Sequence, residues 1–295
     1  MPAVRRALPL LVVAAVLAGC GGSKPKEPPA LLFVSTKDGD YAIFSADAHG
    51  GHERRLATGK GDPSSPAGLY FETEPAWSPD GAQIAFSRRR DGTAHIYVMQ
   101  ADGTGTRRLT RTAKADDHPS WSPDGKLIVF AREGALFVVS AGGGAAHRVG
   151  HGFGNAANPA WSPDGGLIAY DYRRPGTPIR EVYVMRADGT HPRALTRLQN
   201  VSAAPAWSPD GTRLAFQSNA HLGSFQIYTI GLDGKGLRQV THAAGDVFEP
   251  AWSPDGKTLS FNRDGAIWVD TRGTQSRLTS GTNDSSPAWR PAQPG

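Results

Sequence analysis

Five of six recurring tryptophans in this chain are preceded by side chains that could bind a cation or move a proton. Glu72 and Glu74 come before Trp77, Asp116, Asp117 and His118 before Trp121, and Asn155 and Asn158 before Trp161. Asp246 and Glu249 come before Trp252, and Asp284 before Trp289; the segment Val201 to Ala204, before Trp207, is uncharged. Carboxylates with one histidine can hold a divalent ion or a cationic group if they converge. Taken singly, each reads as a residue of a solvated loop, with His118 fitted beside Pro119. Taken together, they describe an acidic recognition mouth. Whether they meet depends on the elements that carry them.

Those elements repeat. Trp-Ser-Pro-Asp-Gly begins at Trp77, Trp121, Trp161, Trp207 and Trp252, and Pro287-Ala288-Trp289-Arg290-Pro291 is a worn sixth copy, the intervals running from 37 to 46 residues. Such a period belongs to stacked four-stranded units set around an axis rather than to one mixed core. In the second repeat, Pro75-Ala76-Trp77-Ser78 leads through Pro79-Asp80-Gly81 to Ile84-Ala85-Phe86-Ser87, then to Ile96-Tyr97-Val98-Met99 and Arg107-Arg108-Leu109-Thr110. Short β-branched and aromatic runs punctuated by Asp-Gly pairs are the mark of a meander. The middle runs are apolar on both faces, as a sheet packed between two others requires.

The ends set the count. Leu31-Leu32-Phe33-Val34, Ala42-Ile43-Phe44 and Arg54-Arg55-Leu56 form a repeat without its tryptophan strand, whereas Ser286-Pro287-Ala288-Trp289 is a tryptophan strand with nothing after it. Joining them completes one blade and removes an exposed sheet edge. The expected fold is all-β: a six-bladed β-propeller of four-stranded antiparallel blades, closed by a C-terminal strand pairing into the first blade.

Trp77, Trp121, Trp161, Trp207, Trp252 and Trp289 read as structural. Each tryptophan buries about 150 to 250 Å², a gross stabilisation of about 4 to 6 kcal/mol at about 25 cal/mol per Å². Repeated Asp-Gly invites a calcium reading, but turn chemistry accounts for every residue of Ser-Pro-Asp-Gly, and the copies sit on different blades. The pairs Arg54-Arg55 and Arg107-Arg108 fall on outer strands, where charge discourages strand addition. None of the nine histidines stands in paired metal spacing. No metal and no cofactor are expected.

Residues 1–19 are a separate object. Arg5 and Arg6 precede an apolar run from Leu8 to Ala18, too short for a membrane-spanning helix of about 20 residues, so the segment reads as an export signal. Leu17-Ala18-Gly19-Cys20 resembles the lipobox of bacterial lipoproteins, which implies cleavage before Cys20 and acylation of this single cysteine. The remainder of residues 20–30 is rich in Gly and Pro and reads as a tether; its nine residues Gly21 to Pro29 reach about 28 Å when extended. Residues 31–295 form the propeller. The formal charge of +5 falls to +3 once Arg5 and Arg6 are removed, too mild an excess to imply nucleic acid.

From Leu31 to Pro291 the pattern resembles the TolB-type, WD-like propeller repeat, in which Trp-Ser-Pro-Asp-Gly, Ile-Ala-Phe, Ile-Tyr-Val-Met and Arg-Leu-Thr segments recur. The resemblance implies a non-catalytic scaffold or protein-binding module of the envelope, engaging a protein or cell-wall component. Export and the lipid anchor would place it, as a monomer, on a bacterial membrane at the periplasmic or cell-surface face. No Gly-x-Ser-x-Gly elbow occurs. The alternative is a metal-dependent lyase or hydrolase acting on envelope carbohydrate, with Glu74, His118 and Glu249 around the metal. Closure of the ring predicts that deleting Ser285 to Gly295 lowers the melting temperature far more than eleven terminal residues usually would; a melting temperature unchanged by the truncation would refute closure.

Overall fold

The computed structural model describes residues 30–39, 41–56, 71–90, 92–150, 155–220 and 223–292; the signal segment 1–19 and all of the tether 20–30 except Ala30 lie outside them. Among the described residues, twenty-four strands form six four-stranded antiparallel sheets. The first blade holds β1 (Leu31–Ser35), β2 (Ala42–Ala46) and β3 (Arg54–Arg55), and the second holds β4 (Phe71–Trp77), β5 (Gln83–Arg90), β6 (Thr93–Gln100) and β7 (Arg107–Arg108). The third comprises β8 (Asp116–Trp121), β9 (Leu127–Arg132), β10 (Ala135–Ser140) and β11 (His147–Val149). The fourth comprises β12 (Ala156–Trp161), β13 (Leu167–Arg173), β14 (Arg180–Arg186) and β15 (Arg193–Ala194). The fifth has β16 (Ser202–Trp207), β17 (Arg213–Ser218), β18 (Gln226–Gly231) and β19 (Arg238–Gln239). The sixth has β20 (Val247–Trp252), β21 (Thr258–Arg263), β22 (Ala266–Thr271) and β23 (Thr274–Arg277), and β24 (Ser285–Trp289) crosses back to the first.

The first blade has the order β24-β1-β2-β3, with Trp289 opposite Leu31 and Ala288 opposite Leu32. Its extension is tied as well, the Arg290 N–H donating to the Ala30 carbonyl at 2.8 Å. The tryptophan strands contact one another in the cyclic order β24, β4, β8, β12, β16, β20, β24. The ring is closed.

No single core fills it. Leu32, Ile43 and Leu56 of the first blade pack on Trp77, Ile84, Phe86 and Met99 of the second, and five further clusters fill the other five seams. The last of them, between the sixth and first blades, joins Ile267 to Leu31, Phe33 and Phe44, with Trp289 against them. Within blades, strands two and three are stapled by facing rings: Phe33 on Phe44, Phe86 on Tyr97, Phe130 on Phe137 and Phe216 on Tyr228, at centroid separations of 5.8 to 6.0 Å.

The recurrent pentapeptide does two mechanical tasks. In its turn, the Ser78 hydroxyl donates to the Asp80 carboxylate while accepting from the Gln83 N–H, and Asp80 accepts from the Ala82 N–H. Ser122-Asp124, Ser162-Asp164, Ser208-Asp210 and Ser253-Asp255 repeat the arrangement, and in all five the serine hydroxyl leads in holding the aspartate below the usual carboxylate range. These carboxylates are occupied in closing turns. The indole of Trp121 reaches the preceding blade, donating to the Ala76 carbonyl at 3.1 Å, and Trp207 does the same to Ala160 at 2.9 Å. Trp161 instead bonds Gly165 in its own turn and is only half-buried.

Outer strands are shorter than the Arg-Arg-Leu-Thr run suggests. The N–H groups of Leu109 and Thr110 both turn to the Ile96 carbonyl, and the Thr110 hydroxyl accepts the Ile96 N–H at 3.1 Å, so regular pairing stops after Arg108. Thr196, Thr241 and Thr279 repeat this cap. The first arginine of each pair also does more than guard an edge: Arg54 donates to the Asp102 carbonyl of the second blade and Arg107 to the Ala141 carbonyl of the third. The turn that Arg54 meets needs glycine, since a Cβ on Gly103, at φ +88°, would lie 2.2 Å from the Leu56 carbonyl oxygen.

Burial and the bond across the seam distinguish the tryptophans. Trp121→Ala should cost about 3 to 5 kcal/mol, and Trp161→Ala distinctly less, in chemical denaturation of the two variants; equal losses would contradict this division of roles.

Candidate functional site

The tryptophan strands do not run straight to the axis. In every blade the pairing between the first and second strands slips, between Thr73 and Ala76, Asp117 and Ser120, Ala157 and Ala160, Ala203 and Ala206, Phe248 and Ala251, and in β24 between Ser285 and Ala288. Proline causes the slip. Pro75, Pro119, Pro159, Pro205, Pro250 and Pro287 have no N–H to give to the ladder, and the extra residue before each one bulges. Those residues are Glu74, His118, Asn158, Ala204, Glu249 and Ser286, with φ of 57°, 53°, 49°, 51°, 55° and 51°. A left-handed backbone at a non-glycine residue costs about 1 to 3 kcal/mol, and all six carry side chains.

The six residues and their prolines line one cavity of about 210 Å³ at the hub of the ring. Neighbouring blades take up the N–H groups of four of them. Glu74 accepts the His118 N–H at 2.7 Å, Asp171 the Ala204 N–H at 3.1 Å, Gln217 the Glu249 N–H at 2.9 Å, and Glu249 the Ser286 N–H at 2.6 Å. The strained backbone is therefore held from one blade to the next, and β24 supplies the last member.

Charge is concentrated on one side. His118 Nε2 lies 3.0 Å from Glu74 Oε1 and Nδ1 3.0 Å from Asp117 Oδ1. Burial pulls the imidazole down, but the Glu74 and Asp117 carboxylates outweigh it and lift the group to about 9. Burial pushes the Glu249 carboxyl up, opposed by the Ser286 N–H, and the Glu74 charge pushes it further in the same direction. Asn158 donates its amide to Asp171, which also pairs with Arg180.

Of the ten residues before the tryptophans, Glu74, His118, Asn158 and Glu249 meet in this cavity, and Asp117 touches it through His118. Glu72 stands in β4 in register with Arg88. Asp116 is fully buried and holds Arg132 through both carboxylate oxygens. Asn155 accepts from Arg173, and Asp246 from the Phe225 N–H. Asp284 is 1 % exposed, its carboxylate packed against Gly281 without a hydrogen-bond partner among the described residues. Ser286 and Ala204 carry no charge to mark them in the sequence; the signal for both is the position directly before the proline, three residues ahead of each tryptophan. Among the described residues, no three His, Cys, Asp or Glu side chains are placed to hold a metal ion together.

The family model "TolB beta propeller domain" matches residues 68–170 and 137–294. The protein named Uncharacterized protein Atu1656, of Agrobacterium fabrum, is 32% identical over 84 residues, 28% of this chain and 26% of that one, so the match spans about a quarter of the relative's length. TolB from Acinetobacter baumannii superposes with a TM-score of 0.73 at 17% identity, over 90% of this chain and 67% of that one. An oligogalacturonate lyase in complex with manganese superposes at 0.57 with 18% identity, over 85% and 74%. At these identities the two structures are alike in fold alone. The family model spans well over half of the sequence, and the chain belongs to the TolB beta propeller domain family.

Proposed function

We propose that the protein is an exported, lipid-anchored binding module of the bacterial envelope, which engages a protein or cell-wall partner at its hub and catalyses no reaction. The ring of six left-handed positions carries this reading. A purely structural bulge is cheapest with glycine or asparagine, yet five of the six hold Glu, His, Ala, Glu and Ser, each facing the same opening. Strain kept at different side chains around one cavity is a feature of recognition surfaces. Glu74 and Asp117, with Glu249 beside them, outnumber the His118 imidazolium they hold and leave that surface acidic on one side, suited to a cationic or hydrogen-bond-donating group of the partner. Cys20, with the tether after it, supports anchoring through its lipobox-like setting.

A second reading, a metal-dependent lyase or hydrolase acting on envelope carbohydrate, draws on the meeting of Glu74, His118 and Glu249 at one cavity and on the lyase of similar fold. It requires His118 to leave its bond to Glu74 and the three side chains to draw together, since they are not placed to hold an ion as they stand. Stoichiometric metal in the purified domain, lost in His118→Ala, would favour it.

The binding reading is tested by capture from the native envelope with the tethered protein and with a Glu74→Gln, Glu249→Gln variant of matched melting temperature. The wild type should retain a partner that the variant releases; equal retention would remove the hub from recognition. The histidine makes a separate prediction. Its folded pKa of about 9 lies above the ordinary 6.5, so its stabilisation is complete below about pH 6.5 and is lost as pH rises through about 9. Unfolding free energy of the wild type relative to His118→Gln should therefore fall across that interval, and a constant difference would contradict the ion pair.

A further inference from the structure

We propose that an arginine-lined groove on the seam between the second and third blades binds an oxyanion-bearing ligand. The groove has a volume of about 600 Å³ and shares no residue with the axial cavity. Arg107, Arg108 and Arg111 enter it from the outer edge of the second blade and Arg132 from β9, while Gly142, Gly143 and Gly144 leave it open on the other side. Among the described residues, no carboxylate lines it.

The guanidinium groups are set in place by the fold. Arg132 grips both oxygens of buried Asp116 and lies over the rings of Phe137 and Phe130, at 4.6 and 5.1 Å from their centroids. Arg108 Nε donates to the Thr110 carbonyl at 2.6 Å, and Arg107 donates to the Ala141 carbonyl. Asp116 balances one of the four charges. Among the described residues, Arg107, Arg108 and Arg111 form no ion pair with a carboxylate. The other paired site behaves differently: Arg55 of the first blade lies 3.5 Å from Asp38.

Three guanidinium groups without a carboxylate partner among the described residues repel one another around one concavity, and an oxyanion relieves that repulsion while filling the planar forks with charge-assisted bonds. Glycine opposite them removes side-chain bulk where such a ligand would sit; a Cβ on Gly144 would meet nothing within 4 Å. Phosphate groups can come from a soluble molecule or from a lipid headgroup, and the chemistry of the groove serves both.

The test is titration of the folded propeller with inorganic pyrophosphate, alongside co-sedimentation with phosphatidylglycerol and with phosphatidylcholine vesicles. The variants are Arg111→Gln, at an exposed position, and Arg108→Gln with Arg111→Gln, each checked for an unchanged melting temperature. The wild type should bind pyrophosphate or anionic vesicles, and the double variant should bind at least about tenfold more weakly, the loss expected for removing charged hydrogen bonds. Pyrophosphate binding assigns the groove to soluble oxyanions, and sedimentation with phosphatidylglycerol alone assigns it to headgroups. Failure of the wild type to bind either, equal sedimentation with phosphatidylcholine, or undiminished binding by the double variant would overturn the proposal.

Discussion

Everything in this molecule rests on the antiparallel pairing of β24 with β1. A propeller has no common interior: each blade buries its two apolar faces only against the blades on either side, and the six clusters lie in the six seams. An open row would leave the outer face of Leu31, Phe33 and Phe44 in water at one end and that of Ile267 at the other. Bringing the last strand into the first blade joins those faces and converts a row of nearest-neighbour contacts into a ring in which every seam supports the next. Arg290 adds a further tie, donating to the Gly81 carbonyl and lying over the ring of Trp77 in the second blade.

Closure also completes the hub. Ser286 belongs to β24, and its N–H holds the Glu249 carboxylate that faces Glu74 and His118. The six bulged residues keep an unfavourable backbone because proline blocks the regular ladder and because groups of the preceding blade take up the N–H of His118, Ala204, Glu249 and Ser286. Structure and candidate site are thus coupled: the constraint that makes the ring rigid also presents six side chains of five kinds to one opening. The Pro-Ala-Trp or Pro-Ser-Trp that follows them is uniform, so these positions can vary without rebuilding the blade.

The architecture was legible because tryptophan, Ser-Pro-Asp-Gly and the apolar runs recur with nearly constant spacing, and because the two incomplete ends complement each other. The hub was legible only in part. Glu74, His118, Asn158 and Glu249 stand directly before proline, whereas Asp116 lies two residues ahead of His118, before the slip in register, and stays in the regular ladder opposite Arg132. A linear alternation of inward and outward residues cannot show a bulge, so Asp116 and Asp284 read as rim residues although both are buried. Arg54 and Arg107 read as edge charges, since nothing local announces a bond to a carbonyl 48 or 34 residues further on. The shortened outer strands were hidden too, because the threonine cap competes with the ladder through a side chain.

Native-state hydrogen exchange at the closing strands tests the central claim most directly. If β24 locks the ring, the amides of β1 and β24, Leu32 and Ala288 among them, exchange only with global unfolding and share the protection of interior strands such as β9 and β17. Exchange of β24 by local fraying, with β9 and β17 still fully protected, would contradict the account.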